Sequence, residues 1–151
     1  MKNILRLSFL AAMGLIIFAS CTKRTTNNVV VAGTTSSMSG TFGGTKWVAA
    51  TVTDTLSSGT LIATGVSATN SSVTITVPEN ITAATYQQSS GIWQIEYYYD
   101  ATHYYFLTTG TVIISSNANG VLSGSFSGTF TNPATAATLS ATTASFTVKY
   151  N

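Results

Sequence analysis

Beyond residue 38 the chain contains run after run in which apolar and polar side chains alternate. Val73, Ile75 and Val77 fall on one side of a predicted strand, with Thr74 and Thr76 on the other. Trp93, Ile95, Tyr97 and Tyr99 alternate with Gln94, Glu96, Tyr98 and Asp100. Leu122, Phe126 and Phe130 are interleaved with Ser123, Ser125, Ser127, Thr129 and Thr131, and Phe146, Val148 and Tyr150 with Ser145, Thr147 and Lys149. A period of two marks half-buried strands. Turn-forming residues separate the runs at Gly43-Gly44, Ser57 to Gly59, Asn70-Ser71, Pro78 to Asn80, Ser89 to Gly91 and Asn119-Gly120. Asn-Gly is the strongest two-residue hairpin signal. Most links are too short for the crossovers that parallel neighbours need. The pattern predicts an all-β domain over 38–151, an antiparallel meander forming a single β-sandwich or flattened β-barrel.

A short motif repeats inside this pattern. Ser39-Gly40-Thr41-Phe42 returns as Ser123-Gly124-Ser125-Phe126 and Ser127-Gly128-Thr129-Phe130. In the tandem copies Gly and Phe alternate on one face, where a missing side chain leaves room for a ring. No wider period exists, so neither a solenoid nor a regularly stacked Thr array is expected.

The first twenty residues follow a different rule. Lys2 and Arg6 accompany an apolar run from Ile4 to Ala19, and Ala19-Ser20 precedes Cys21. A cationic start, a short apolar segment and small residues describe a helical secretory signal, residues 1–20. The run is short of the ~20 residues that a membrane-spanning helix needs. The small pair before the single Cys resembles the lipobox of bacterial lipoproteins. That resemblance implies cleavage between Ser20 and Cys21, with lipid carried on the Cys21 thiol, including a palmitate-type acyl chain. Residues 21–37, rich in Thr, Asn, Ser and Gly, then read as the lipidated Cys and a flexible tether. Thr22-Lys23-Arg24-Thr25 carries no acidic run of the kind that routes some Bacteroidota lipoproteins to the cell surface. The expected location is the cell envelope, lipid-anchored in the outer membrane and facing the periplasm.

Removing the signal changes the charge. The whole chain has a formal charge of +2. The remainder sets Lys23, Arg24, Lys46 and Lys149 against Asp54, Glu79, Glu96 and Asp100, and is formally neutral. Only 7% of residues are charged, which leaves no basic stripe for nucleic acid. One Cys and one His exclude a disulfide framework and multi-His or Cys-rich metal sites within one chain. No cofactor is expected.

Several segments are similar to a family of small uncharacterised Bacteroidota lipoproteins built on a domain of unknown function. The resemblance rests on Thr41-Phe42-Gly43-Gly44-Thr45-Lys46-Trp47, Val73-Thr74-Ile75-Thr76-Val77-Pro78, Thr85-Tyr86, Gly120-Val121-Leu122-Ser123-Gly124-Ser125-Phe126 and Ser145-Phe146-Thr147-Val148. It implies a β fold and an envelope location, and brings no chemistry with it.

The residues offer little catalysis. Glu96 and Asp100 share a strand face about 13 Å apart, beyond the roughly 5–9.5 Å of glycosidase pairs. Asp54 and Glu79 sit near predicted turns, where solvated carboxylates are ordinary. If Ala101-Thr102 is a two-residue turn, Asp100 faces His103, Tyr98 faces Tyr105 and Tyr99 faces Tyr104. Asp-His is the orienting half of a hydrolase triad, but no Gly-x-Ser-x-Gly elbow accompanies it. The same register puts Trp93, Tyr97, Tyr99, Tyr104 and Phe106 in the core. It leaves Tyr98 and Tyr105, beside Gln94, Glu96, Asp100 and His103, as a candidate ligand face for a sugar or peptide. Asp54-Thr55-Leu56 resembles the O-glycosylation sequon of exported Bacteroidota proteins, with Thr55 as acceptor.

The sequence thus reads as a non-enzymatic lipoprotein with a binding or structural envelope role. Its expected partners are a membrane, through the lipid, and a glycan or protein. A glycan- or peptide-binding module and a fimbrial-type subunit with an exposed edge strand are the alternatives, ahead of a small hydrolase.

Overall fold

The computed structural model describes residues 24–26, 35–100 and 102–150. The expected signal peptide, Ser20, Cys21 and most of the expected tether lie outside them. Among the described residues no helix is long and apolar enough to cross a membrane.

The strands are β1 (Arg24–Thr26), β2 (Ser37–Phe42), β3 (Thr45–Ser57), β4 (Thr60–Ser67), β5 (Ser72–Pro78), β6 (Ala84–Gln87), β7 (Gln94–Tyr98), β8 (Tyr104–Ala118), β9 (Val121–Thr131) and β10 (Thr138–Lys149). A single 3₁₀ turn, Gln88–Ser90, follows β6. Strand neighbours run β3-β2-β10-β9-β8-β7-β5-β4, and β4 pairs again with β3. The meander therefore closes on itself as an eight-stranded antiparallel barrel. Of the two expected architectures, the barrel is the one formed. Eight strands leave an interior that side chains can fill. Two short strands lie off the ring. β6 continues the line of β7 along β8, and β1 pairs with the far end of β3. Strand β1 thus fixes to the barrel wall three residues of the segment expected to be tether.

Three hairpins have two-residue links in which both residues have positive φ: Gly43-Gly44, Ser58-Gly59 and Asn119-Gly120. That is the type I′ geometry that matches strand twist. Alternate turns lie at opposite ends of the barrel. The upper end carries Gly43-Gly44, Ala68 to Asn70, and the loops 99–103 and 132–137. The lower end carries Ser58-Gly59, Glu79-Asn80, Asn119-Gly120 and the ends of β2 and β10 at Ser37 and Lys149.

Inward side chains form one core, including Met38, Phe42, Trp47, Leu61, Ile75, Ile95, Leu107, Val112, Leu122, Phe126, Phe130, Phe146 and Val148. The Ser-Gly repeats behave as the pattern predicts. A methyl group on Gly124 would sit 2.7 Å from Cζ of Phe146, and one on Gly40 2.9 Å from Cβ of Ala144. Bulges interrupt the alternation in β3, β8 and β10. Each extra residue reverses which parity faces inward. In β3, Trp47 faces the core before the bulge, and Val52, Asp54 and Leu56 face inward after it.

Candidate functional site: the aromatic mouth of the barrel

The upper end is incompletely filled. A cleft of about 270 Å³ opens there, lined by Phe42, Thr45, Tyr97, Tyr99, His103, Tyr105 and Leu139. Its floor is the Phe42 ring, which stacks on Tyr97 with centroids 4.4 Å apart and planes 10° from parallel. Phe42 is itself braced edge-on by Trp47 at 5.9 Å and Phe130 at 5.7 Å. Tyr105 extends the wall, 6.4 Å from Tyr97. Tyr99, 62% exposed, stands at the rim against His103, ring to ring at 6.5 Å.

The Trp47 brace is itself anchored to the β4–β5 turn. Trp47 Nε1–H donates to Ser71 Oγ at 3.0 Å, and Ser71 and Ser67 share a hydroxyl bond of 2.7 Å. Burial raises the Tyr97 phenol above its ordinary value, a hydrogen bond with Ser71 opposes this, and nearby Tyr99 and Tyr105 add to the rise. The Tyr97 phenol is therefore a neutral group at physiological pH.

The rim loop is built on Asp100. Its Oδ1 accepts from Thr102 N–H, Thr102 Oγ1–H and His103 N–H, each at 2.8 Å, and Oδ2 lies 2.8 Å from His103 Nδ1. The Thr102 amide and hydroxyl, with His103, hold the Asp100 carboxyl well below the usual carboxylate range. With Nδ1 turned to Asp100, the His103 ring has its Nε2 left for a ligand or solvent.

This geometry corrects the expected hairpin. The loop has five residues, closed by Tyr99 N–H donating to His103 O at 2.9 Å. Tyr97 faces Tyr105, Tyr98 faces Tyr104, and Glu96 faces Phe106. The register differs by one residue from the expected pairing, so every residue of β8 near the loop changes sides. Ala-Thr lacks the Gly or Asn that a type I′ turn demands, and Asp100 forms an Asx turn instead.

The candidate ligand face is accordingly divided. Gln94, Glu96 and Tyr98 lie on the outer wall. There the Glu96 carboxylate accepts from Gln94 Nε2 at 2.6 Å and from Tyr98 OH at 2.9 Å. Tyr104 and Phe106, expected in the core, join them outside, with Tyr98 stacked on Tyr104 at 5.9 Å. Tyr105 and His103 line the mouth, with Asp100 as their support at the rim. Trp93 and Tyr97 are buried as expected, and Tyr99 is not. Phe42, Thr45 and Leu139 were not expected at a site, because only barrel closure brings the ends of β2, β3 and β10 round one mouth with β7.

Two other expectations meet the structure at β3. Thr55 lies in the strand, facing outward between Ile62 of β4 and Thr25 of β1. Its neighbour Asp54, expected near solvent, is buried with 2% exposure, so the three-residue sequon is split between two faces. Among the described residues neither Asp54 carboxylate oxygen has a hydrogen-bond partner, and burial raises its pKa.

The lining of the mouth holds His103 with a threonine and tyrosines but no serine. No group of three or more His, Cys, Asp or Glu able to hold a metal occurs among the described residues. What the arrangement offers is stacking surface with hydroxyl and imidazole groups at its edge.

No curated protein and no solved structure matches the chain. The family model described as a domain of unknown function (DUF6252) matches residues 34–148, well over half of the chain, and the chain belongs to that family.

Proposed function

We propose that this protein is a bacterial envelope lipoprotein, anchored through Cys21, whose barrel binds a neutral pyranose-like ligand in its aromatic mouth without transforming it. The observation that supports this reading is the cleft floored by the stacked Phe42 and Tyr97 and edged by Tyr99, Tyr105, Thr45 and His103. A pyranose has an apolar C–H face for a ring to cover and hydroxyls for the phenols, threonine and imidazole to meet. The volume lies below the ~300–1,000 Å³ typical of drug-sized ligands, which fits one ring. The Asp100 oxygens are taken up by Thr102 and His103 within the rim loop, which leaves the phenols, the threonine and the His103 ring as the groups that meet a ligand. Closure of β10 on β2 leaves less free edge for the strand exchange that a fimbrial subunit uses.

The test is calorimetric titration of the chain from Thr22 onward with methyl glycosides of glucose, galactose, mannose and N-acetylglucosamine. Saturable binding of at least one, with a dissociation constant in the ~1–10 mM range or tighter, is expected. Tyr99→Ala should weaken it roughly tenfold, about 1.4 kcal/mol, and leave the melting temperature unchanged, because Tyr99 is largely exposed. No heat from any of the four glycosides would remove the ligand reading. For the anchor, Cys21→Ala should release the protein from the membrane fraction, and a variant that still sediments with membranes would contradict it.

A further inference from the structure

We propose that the barrel stands end-on to its membrane, with the lower end on anionic lipid headgroups and the aromatic mouth facing away. The inference rests on the reading of Cys21 as the lipid-bearing residue. What the structure adds is the place where the chain leaving that residue joins the barrel. In β1, Arg24 lies opposite Leu56 and Thr26 opposite Asp54. Leu56 is two residues from the Ser58-Gly59 turn, so the chain enters at the lower end and runs towards the mouth.

Only Thr22 and Lys23 separate Cys21 from Arg24. Three residue steps reach at most about 10 Å. An acylated Cys21 lies at the bilayer surface, so this link holds the lower end close to the headgroups. Strand β4, with eight residues, spans the wall between the ends. At ~3.3 Å per residue and a tilt of about 40°, that places the mouth roughly 20 Å farther out.

Charge favours the same posture. Of the four cationic residues after the signal, Lys23 and Arg24 lie in the link and in β1, and Lys149 ends β10 beside Val121 at the lower end. The exposed acid there is Glu79, while Asp54 is enclosed in the wall. The upper end carries Lys46, and Asp100 paired with His103. The basic end therefore meets the negative surface potential of an anionic leaflet, within a Debye length of it.

The test uses the full lipidated protein in vesicles of phosphatidylethanolamine and phosphatidylglycerol that carry a headgroup-linked quencher. Single cysteines are introduced at exposed positions, Ala118→Cys at the lower end and Ala68→Cys or Ala134→Cys at the upper end, and each is labelled with a small fluorophore. A thioether-linked Cys21 offers no competing thiol. The expected result is strong quenching at position 118 and at least threefold less at positions 68 and 134. Equal quenching at both ends, or the reverse order, overturns the orientation while leaving the anchor intact. Intact mass and vesicle flotation read the anchor separately. A protein without lipid mass that fails to float overturns the anchor reading and this inference with it.

Discussion

At the residue scale, Asp54 is the side chain that most departs from ordinary practice. A buried carboxylate without a hydrogen bond costs free energy that a neutral group of the same shape does not. Its folded-state pKa is raised by burial, so the folded state prefers the protonated form. Stability is therefore greatest below the ordinary carboxylate pKa and falls as pH rises through the raised one. Asp54→Asn should gain on the order of 1–3 kcal/mol at pH 7. The gain should vanish near pH 3, and urea unfolding at the two pH values measures both. A variant less stable than wild type at pH 7 would show that the carboxylate has a favourable partner. Asp100 has the opposite sign. Its carboxyl is held low by the Thr102 amide and hydroxyl and by His103, so its contribution is present above the ordinary pKa and lost as the pH falls towards the lowered one. The sequence showed both acids near turns. It did not show the β3 bulge after Ala49 that turns Asp54 inward, because an extra residue in a Thr-rich strand leaves no mark on the hydrophobic pattern.

At the element scale, strand positions were legible because each inward face needs apolar residues at every second site. The Ser-Gly repeats were legible for the same reason, and their consequence is local. Gly110 and Gly128 face one another across β8 and β9 with φ of 140° and 153°. A side chain on Gly128 would run into the Thr109 carbonyl. Gly128→Ala should cost on the order of 3 kcal/mol through strain and overpacking, read as a lower urea midpoint with an unchanged m-value. A loss below half a kilocalorie would mean that the two strands part easily there. The β7–β8 register was the illegible element. Alternation fixed Trp93, Ile95 and Tyr97 inward, but the loop decided which residues of β8 share that side. The cue lay in the loop's own chemistry: an Asp that captures the amides two and three residues on, and an Ala-Thr pair poorly suited to a tight turn. Reading that cue would have exchanged Tyr98 for Tyr97 as the partner of Tyr105.

At the scale of the whole molecule, closure matters most. The contact of β10 with β2 joins residues from 99 to 110 positions apart, as in Ala141 with Phe42 and Thr147 with Ser37. It places Phe42, Thr45 and Leu139 in one rim with Tyr97, Tyr105 and His103, which local patterning cannot reveal. The β7–β8 register separates an outer aromatic group, Tyr98, Tyr104 and Phe106, from that mouth. The two groups make opposite predictions about where a ligand acts. The most direct measurement is therefore a methyl glycoside titration of the isotope-labelled chain from Thr22 onward, followed by residue-resolved NMR. The mouth predicts saturable shifts at Thr45, Tyr99, His103 and Tyr105, with Tyr98, Tyr104 and Phe106 unmoved. Shifts confined to Tyr98, Tyr104 and Phe106, or none anywhere at ~10 mM glycoside, would contradict it.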